Sequence, residues 1–222
     1  MSVTGITIDE FRDATVRASV SPKREEIGKV IGLENGYTWD QWIAEIEFNE
    51  HSQDPVEFAQ LLVGIRGSKS ILEVGSRFGG TLRRMAEVLA PQSTVVCIDL
   101  PMEDGMTLDP APSLRANCKR IQEMGHHVEL FLANSRDPVV IEKVRGYGPY
   151  DFCFIDGDHS YDGVKADWEN YGPMAKIVGF HDIINPPSEV DKLWAEIKPH
   201  YKHVEFINYD GGRQLGIGVL FK

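Results

Sequence analysis

Five short apolar runs punctuate the chain: Ser70–Val74, Thr94–Asp99, His127–Leu132, Tyr150–Asp156 and Lys176–His181. They lack regular polar alternation, so each predicts a strand buried on both faces. Between them, apolar residues recur at helical spacing. Leu82, Met85, Ala86 and Leu89 form one stripe, Leu114, Cys118 and Ile121 a second, and Tyr161, Val164, Trp168 and Tyr171 a third. Strands alternating with such helices are what a parallel sheet covered on both faces requires. A helix from Pro55 through Val63 precedes the first run, with Asp54 as its N-cap and Pro55 in its first turn. The pattern changes after the fifth run. A helix over Ser188–Ile197 leads into His203–Tyr209, then Asp210-Gly211-Gly212, then Gln214–Phe221, which predicts an antiparallel hairpin. The expected fold class is α/β, a doubly wound and mostly parallel sheet that ends antiparallel.

The first 55 or so residues read differently. Thr7-Ile8-Asp9-Glu10 has the form of a capping box and predicts a helix over Ile8–Ala18. Ser21-Pro22 breaks it, and a shorter helical stretch follows from Lys23 to Ile31. Residues 1–55 are thus expected to be a helical extension, and residues 56–222 the main domain. Trp39, Trp42 and His51 in the extension suit either a lid or the packing of those helices.

Composition narrows the function. The 222 residues carry 23 Lys and Arg against 34 Asp and Glu, a net charge of −11. That excess repels phosphate backbones and anionic membrane surfaces, so neither nucleic acid nor a membrane is the expected partner. No apolar run approaches the roughly 20 residues of a membrane-spanning helix. The start lacks the basic and apolar regions of a signal peptide, and a cytoplasmic protein is expected. Cys97, Cys118 and Cys153 are widely spaced and form no CxxC pair, which suits reduced thiols.

In open α/β sheets ligands bind at the carboxyl ends of the strands, so the residues after each run matter most. The first run leads into Glu73-Val74-Gly75-Ser76-Arg77-Phe78-Gly79-Gly80-Thr81. This is G-x-x-x-G-G rather than the dinucleotide pattern G-x-G-x-x-G, and suits either a ligand cradle or a plain tight turn. Glu73 favours the cradle, because a carboxylate at the end of a buried strand needs a partner such as a ligand amine. Asp99, 24 positions after Gly75, suits a pair of ribose hydroxyls, or a loop cap. Asn134 suits an adenine edge, and Asn134-Ser135 equally suits the cap of a helix beginning near Arg136. The fourth run is densest in chemistry, placing Asp156, Asp158 and His159 at one strand tip, with His181 and Asp182 at the next. Five such groups at adjacent tips call for a metal, a cation or catalytic work.

The stretches ILEVGSRFGGTL, CIDLP, FIDGDHSYDGVKADW and VGFHDI resemble class I S-adenosylmethionine-dependent methyltransferases. Within that superfamily they are similar to the branch of macrocin- and sugar-type O-methyltransferases and cephalosporin hydroxylase-like proteins. The resemblance spans roughly residues 60–222 and implies a seven-stranded Rossmann-like sheet with an antiparallel C-terminal hairpin. It implies that Glu73, Gly75, Gly79 and Thr81 hold the cofactor's methionine part, with Asp99 on the ribose. Asn134 and Ser135 would border the adenine, and Ser76, Gly80, Leu100 and Asp156 complete the cofactor set. Asp156, His181 and Asp182 match the positions that bind a divalent ion in metal-dependent relatives. His181 stands where those relatives have a carboxylate, so Mg²⁺ competes with Mn²⁺, Fe²⁺ or Zn²⁺. Asp158 matches a proposed general base, with His159 as its rival. The implied reaction is methyl transfer to a hydroxyl of a small molecule, of sugar or natural-product type. The alternatives are metal-independent transfer to nitrogen or carbon, or a non-catalytic cofactor-binding protein. Acceptor choice would fall to residues 1–55 and the loop Met102–Pro112. A homo-oligomer is compatible with the resembling families.

Overall fold

The structure is a computed structural model and describes residues 53–101, 109–208 and 215–222. The helices expected before residue 53, with Trp39, Trp42 and His51, lie outside the described residues. So do residues 102–108 of the Met102–Pro112 loop and the Asp210-Gly211-Gly212 turn.

The described chain runs α1 (Pro55–Ile65), β1 (Ser70–Val74), α2 (Gly80–Ala86), β2 (Thr94–Asp99), α3 (Ala111–Glu123), β3 (His127–Leu132), α4 (Pro138–Arg145) and β4 (Tyr150–Ile155). It continues through α5 (Tyr161–Tyr171), β5 (Ala175–His181), α6 (Val190–Ile197), β6 (Lys202–Phe206) and β7 (Ile217–Phe221). The seven strands order as β3-β2-β1-β4-β5-β7-β6. The first five are parallel, and β7 runs antiparallel to both β5 and β6. This is the expected doubly wound Rossmann-like sheet with its antiparallel hairpin.

Successive strand residues point to opposite faces, so each buried run feeds two cores. Ile71, Val95, Cys97, Phe152 and Phe154 meet α1, α2 and α3 on one face. Leu72, Val96, Ile98, Cys153 and Ile155 meet α4, α5 and α6 on the other. The three thiols are buried and unbridged. Among the described residues no helix is long and apolar enough to cross a membrane.

Element ends depart from expectation for local reasons. Asp54 caps α1 as predicted, accepting from the N–H groups of Val56 and Glu57. The helix continues two residues past Val63 because Ile65 is still buried. α4 starts two residues after Arg136, since Asp137 caps it by accepting from Val139 N at 2.8 Å. Ser188 lies before α6 and accepts from Val190 N through its hydroxyl. The hairpin strands are shorter than predicted, and Glu57 explains where they stop. Its carboxylate accepts the backbone N–H groups of Asn208 and Gly216, each at 2.8 Å.

The chain winds outward from β1 to β3, then returns to place β4 on the other side of β1. The crevice beyond the carboxyl ends of β1 and β4 is therefore the switch point where α/β sheets bind ligands.

Candidate active site

A cleft of about 570 Å³ opens at that switch point. Its floor is the turn after β1. Gly75 has φ +88, and a Cβ there would lie 2.2 Å from the Asp156 carbonyl oxygen. Only glycine lets the β1 and β4 tips approach so closely. Ser76, Arg77, Gly80 and Thr81 continue the floor. Gly79 does not line the cleft. With φ +79, it packs where a Cβ would meet Leu114 at 2.8 Å, so its backbone serves the contact of α2 with α3.

Glu73 sits behind this floor and is fully buried. Among the described residues, neither of its carboxylate oxygens has a hydrogen-bond partner. Burial pushes its pKa well above the ordinary carboxylate range, against the opposing effect of the nearby Ser76 hydroxyl. A buried, unpaired acceptor of this kind is costly and marks a place for a cation.

The far wall is formed by Asp99 and Leu100 after β2, and by Asn134, Ser135 and Arg136 after β3. Burial raises the Asp99 carboxyl, opposed by the N–H groups of Arg77 and Leu100. Arg77, held at φ +46, donates its backbone N–H to Asp99 Oδ2. Asn134 Oδ1 accepts from Arg136 N at 2.8 Å and so closes a turn ahead of α4, whose cap is Asp137 rather than Asn134 or Ser135. Asn134 and Ser135 both line the cleft.

At the β4 end the cleft reaches Asp156, Gly157, Asp158 and His159. Here two carboxylates and two imidazoles interlock. Asp156 Oδ1 lies 3.0 Å from His181 Nδ1 and 3.3 Å from His159 Nε2. Asp182 Oδ2 lies 2.9 Å from His159 Nδ1, and its Oδ1 lies 3.5 Å from His181 Nδ1. Burial would raise the Asp156 carboxyl, but His181 and His159 hold it down at about 2. The hydrogen bonds to Asp156 and Asp182 push His159 up to about 10. For His181, burial is outweighed by the same two carboxylates, and its pKa rises. Asp182 has φ +62, a left-handed conformation uncommon for a non-glycine residue and recurrent at functional sites.

The expected ligand trio therefore converges. One ligand atom each from Asp156, His181 and Asp182 lies within 4.8 Å of the others, and His181 and Asp182 are buried. Two oxygen donors and an imidazole suit a divalent ion, and the imidazole makes Mn²⁺, Fe²⁺ or Zn²⁺ as suitable as Mg²⁺. His181 and Asp182 stand behind the cleft rather than in its lining and reach it through Asp156 and His159. Asp158 is half exposed, paired with Arg136 Nη2 and accepting from Ser160 N at 2.9 Å. Burial acts against it, but Ser160 and Arg136 hold its carboxyl below the usual range.

Three cleft features lay outside the sequence expectations. Gln53 lines the cleft and donates from Nε2 to Asp156 Oδ2 at 2.8 Å, across 103 residues of chain. Nothing local to Gln53 signals that contact. Arg136 was legible only as a helix start. Asp167, on α5, is buried behind Gly157, where a Cβ would lie 3.1 Å from its Oδ2.

Residues 72–183 match a family model described as a methyltransferase domain. Among solved structures, the chain is similar to an O-methyltransferase from Bacillus cereus in complex with SAH. The TM-score is 0.56 at 20% identity, covering 95% of this chain and 97% of that one. It is also similar to the O-methyltransferase TomG from Streptomyces achromogenes, involved in tomaymycin synthesis and in complex with SAM. There the TM-score is 0.57 at 16% identity, covering 95% of each chain. At these identities the likeness is one of fold. No curated protein matches the chain. The matched stretch takes in half of the 222 residues, from β1 to the residues just beyond β5, and the chain belongs to the methyltransferase domain family.

Proposed function

We propose that the protein transfers a methyl group from S-adenosylmethionine to a hydroxyl oxygen of a small molecule, with a divalent metal assisting. The observation that carries this reading is the single cleft joining a glycine floor, Asp99 and Asn134 to the Asp156–His159 cluster. One end suits a nucleoside and the other an acidic, proton-handling centre. The reading gives residues 56–222 the cofactor-binding role and leaves the preceding residues as a lid over the acceptor.

In this assignment Gly75, Ser76, Gly80 and Thr81 lie along the cofactor's amino-acid portion, with Glu73 facing its ammonium group from behind. Gly79 supports them by keeping α2 close to α3. Asp99 accepts from the ribose hydroxyls, while Leu100, Asn134 and Ser135 border the adenine. Binding both substrates in one cleft supplies the in-line approach that this displacement needs.

A neutral hydroxyl must lose its proton as it attacks. His159 takes that proton in its neutral form, which Asp156 and Asp182 confine to the alkaline side by raising its pKa to about 10, so turnover should climb with pH toward that value. Asp158 is ionised but occupied by Arg136 and Ser160. Asp156 and Asp182 flank the imidazole and stabilise the protonated form it reaches during transfer. Asp156, His181 and Asp182 would hold the divalent ion, which when bound supplies positive charge that lowers the pKa of a nearby hydroxyl.

The test is calorimetric titration of S-adenosylmethionine and S-adenosylhomocysteine into the purified protein, with and without EDTA. Micromolar binding of both, lost in Asp99→Ala, is the expected result. Absence of binding to either would refute the cofactor assignment, and methyl transfer that survives the chelator would remove the metal from it.

A further inference from the structure

Beside the β1 tip, four buried side-chain oxygens have no partner among the described residues. Gln53 is 2% exposed and its Oε1 makes no hydrogen bond among the described residues. Both Glu73 oxygens are in the same condition, as is the Ser76 hydroxyl. The Gln53 carbonyl can only accept, and the Glu73 carboxyl does so once a cation beside it restores its charge. Each such orphan is costly unless a ligand satisfies it. What satisfies several acceptors together is a group rich in N–H donors and positively charged, and a primary ammonium carries three.

Gln53 is also fixed in orientation. Its Nε2 donates to Asp156 Oδ2, the oxygen turned away from the two imidazoles, so the amide cannot rotate without leaving that carboxylate oxygen unpaired. The carbonyl end is thereby held as a buried acceptor on a residue that lines the cleft together with Gly75, Ser76 and Asp156.

We infer that Gln53 binds the cofactor's α-ammonium group through Oε1 while its Nε2 positions Asp156. This inference rests on the S-adenosylmethionine reading above and adds a residue to it. The same amide then joins the two halves of the reaction. The group that recognises the cofactor's amino acid also sets the carboxylate that orients His159 and His181. A bound cofactor would make the arrangement of Asp156 more rigid before the acceptor arrives.

The test compares S-adenosylhomocysteine with its desamino analogue, which keeps the carboxylate and loses only the amine. Gln53→Met preserves length and removes both polar atoms. In calorimetric titration the variant is expected to bind S-adenosylhomocysteine roughly tenfold or more weakly, the loss of one hydrogen bond to a charged group. Its affinity for the desamino analogue should change by less than about twofold, the residue's contact with that ligand being gone. Equal weakening of both ligands would make Gln53 merely structural and overturn the inference. Unchanged affinity for S-adenosylhomocysteine would also overturn it, leaving the carbonyl to the methyl acceptor. Should the variant fail to fold, the side-chain amide resonance of Gln53 in the wild-type protein decides. It must move with S-adenosylhomocysteine and stay in place with the desamino analogue. A wild-type protein that binds neither ligand refutes the cofactor reading itself, a failure distinct from selective loss in the variant.

Discussion

Asp167 shows how much one side chain behind a ligand cleft can be made to bear. It is 1% exposed, and burial raises its carboxyl to about 6 against the opposing hydrogen bond of Ser135. A carboxyl raised on folding contributes stability that is full below its unfolded value. That contribution is lost as pH rises through the folded value, here between about 4 and 6. The loss is bounded by about 3 kcal/mol, two pKa units at 1.36 each being the scale. Asp167→Asn should therefore be more stable than wild type at pH 8 and no more stable at pH 4, as read by urea unfolding at each pH. A variant equally destabilised at both would show that the carboxylate is needed for packing Ser135 and Gly157. The choice between His159 and Asp158 is a second question at this scale. His159→Gln should lower kcat by roughly 10²–10⁴-fold, the usual worth of positioned proton transfer, with cofactor affinity little changed. Asp158→Asn should lower kcat by less than about tenfold, because its carboxylate is spent on Arg136 and the start of α5. The reverse order would return the base role to Asp158.

At the scale of elements, α1 acts as a fastener between the cleft and the C-terminal hairpin. Asp54 caps the helix and also accepts from Asn208 Nδ2 at 3.2 Å, while Glu57 holds the backbone N–H groups of Asn208 and Gly216. Those two residues flank the turn between β6 and β7, so a buried carboxylate takes over where the ladder stops. Replacing Glu57 by Gln puts an NH₂ donor against a backbone donor and leaves that N–H unpaired. The expected cost is about 1–3 kcal/mol. Amide hydrogen exchange should speed at Asn208 and Gly216 well before it changes in β1 or β4. Uniform acceleration across the sheet would mean that the fastener belongs to the global core instead. The turn after β1 is the second element-scale device. Gly75→Ala would drive a methyl group into the Asp156 backbone, which cannot move without shifting β4. A loss of at least about 2 kcal/mol is expected, with cofactor binding lost alongside.

At the scale of the whole molecule, what was legible in the sequence is what the sheet itself dictates. Buried runs without alternation give the strands, and the rule that strand tips form the site singles out Gly75, Asp99, Asn134, Asp156 and His159, which the fold gathers on one cleft. What was not legible depends on chain segments meeting across long separations. Gln53 reaches Asp156 over 103 residues, and Glu57 ends the hairpin ladder over 151 and 159. No local period encodes those contacts, because each side chain is read by a partner that only the folded sheet brings near. The Asp156–His181–Asp182 group lies between these cases: its residues were legible one by one, and its convergence follows from β4 and β5 being parallel neighbours. That convergence makes the site a joint between two strand tips, so an ion held there should stabilise the whole fold. Binding to the native state alone adds RT ln(1 + [L]/Kd), about 2.7 kcal/mol at a hundredfold excess over Kd. Thermal unfolding should rise with Mn²⁺ in a concentration-dependent way, and EDTA should reverse it. Asp182→Asn removes one charged donor and should abolish the rise while leaving the unfolding of the metal-free protein within a few degrees of wild type. A rise of equal size in that variant would place the ion elsewhere on this acidic chain. No rise in wild type would mean that the two imidazoles themselves neutralise Asp156 and Asp182, and that the cluster works without metal.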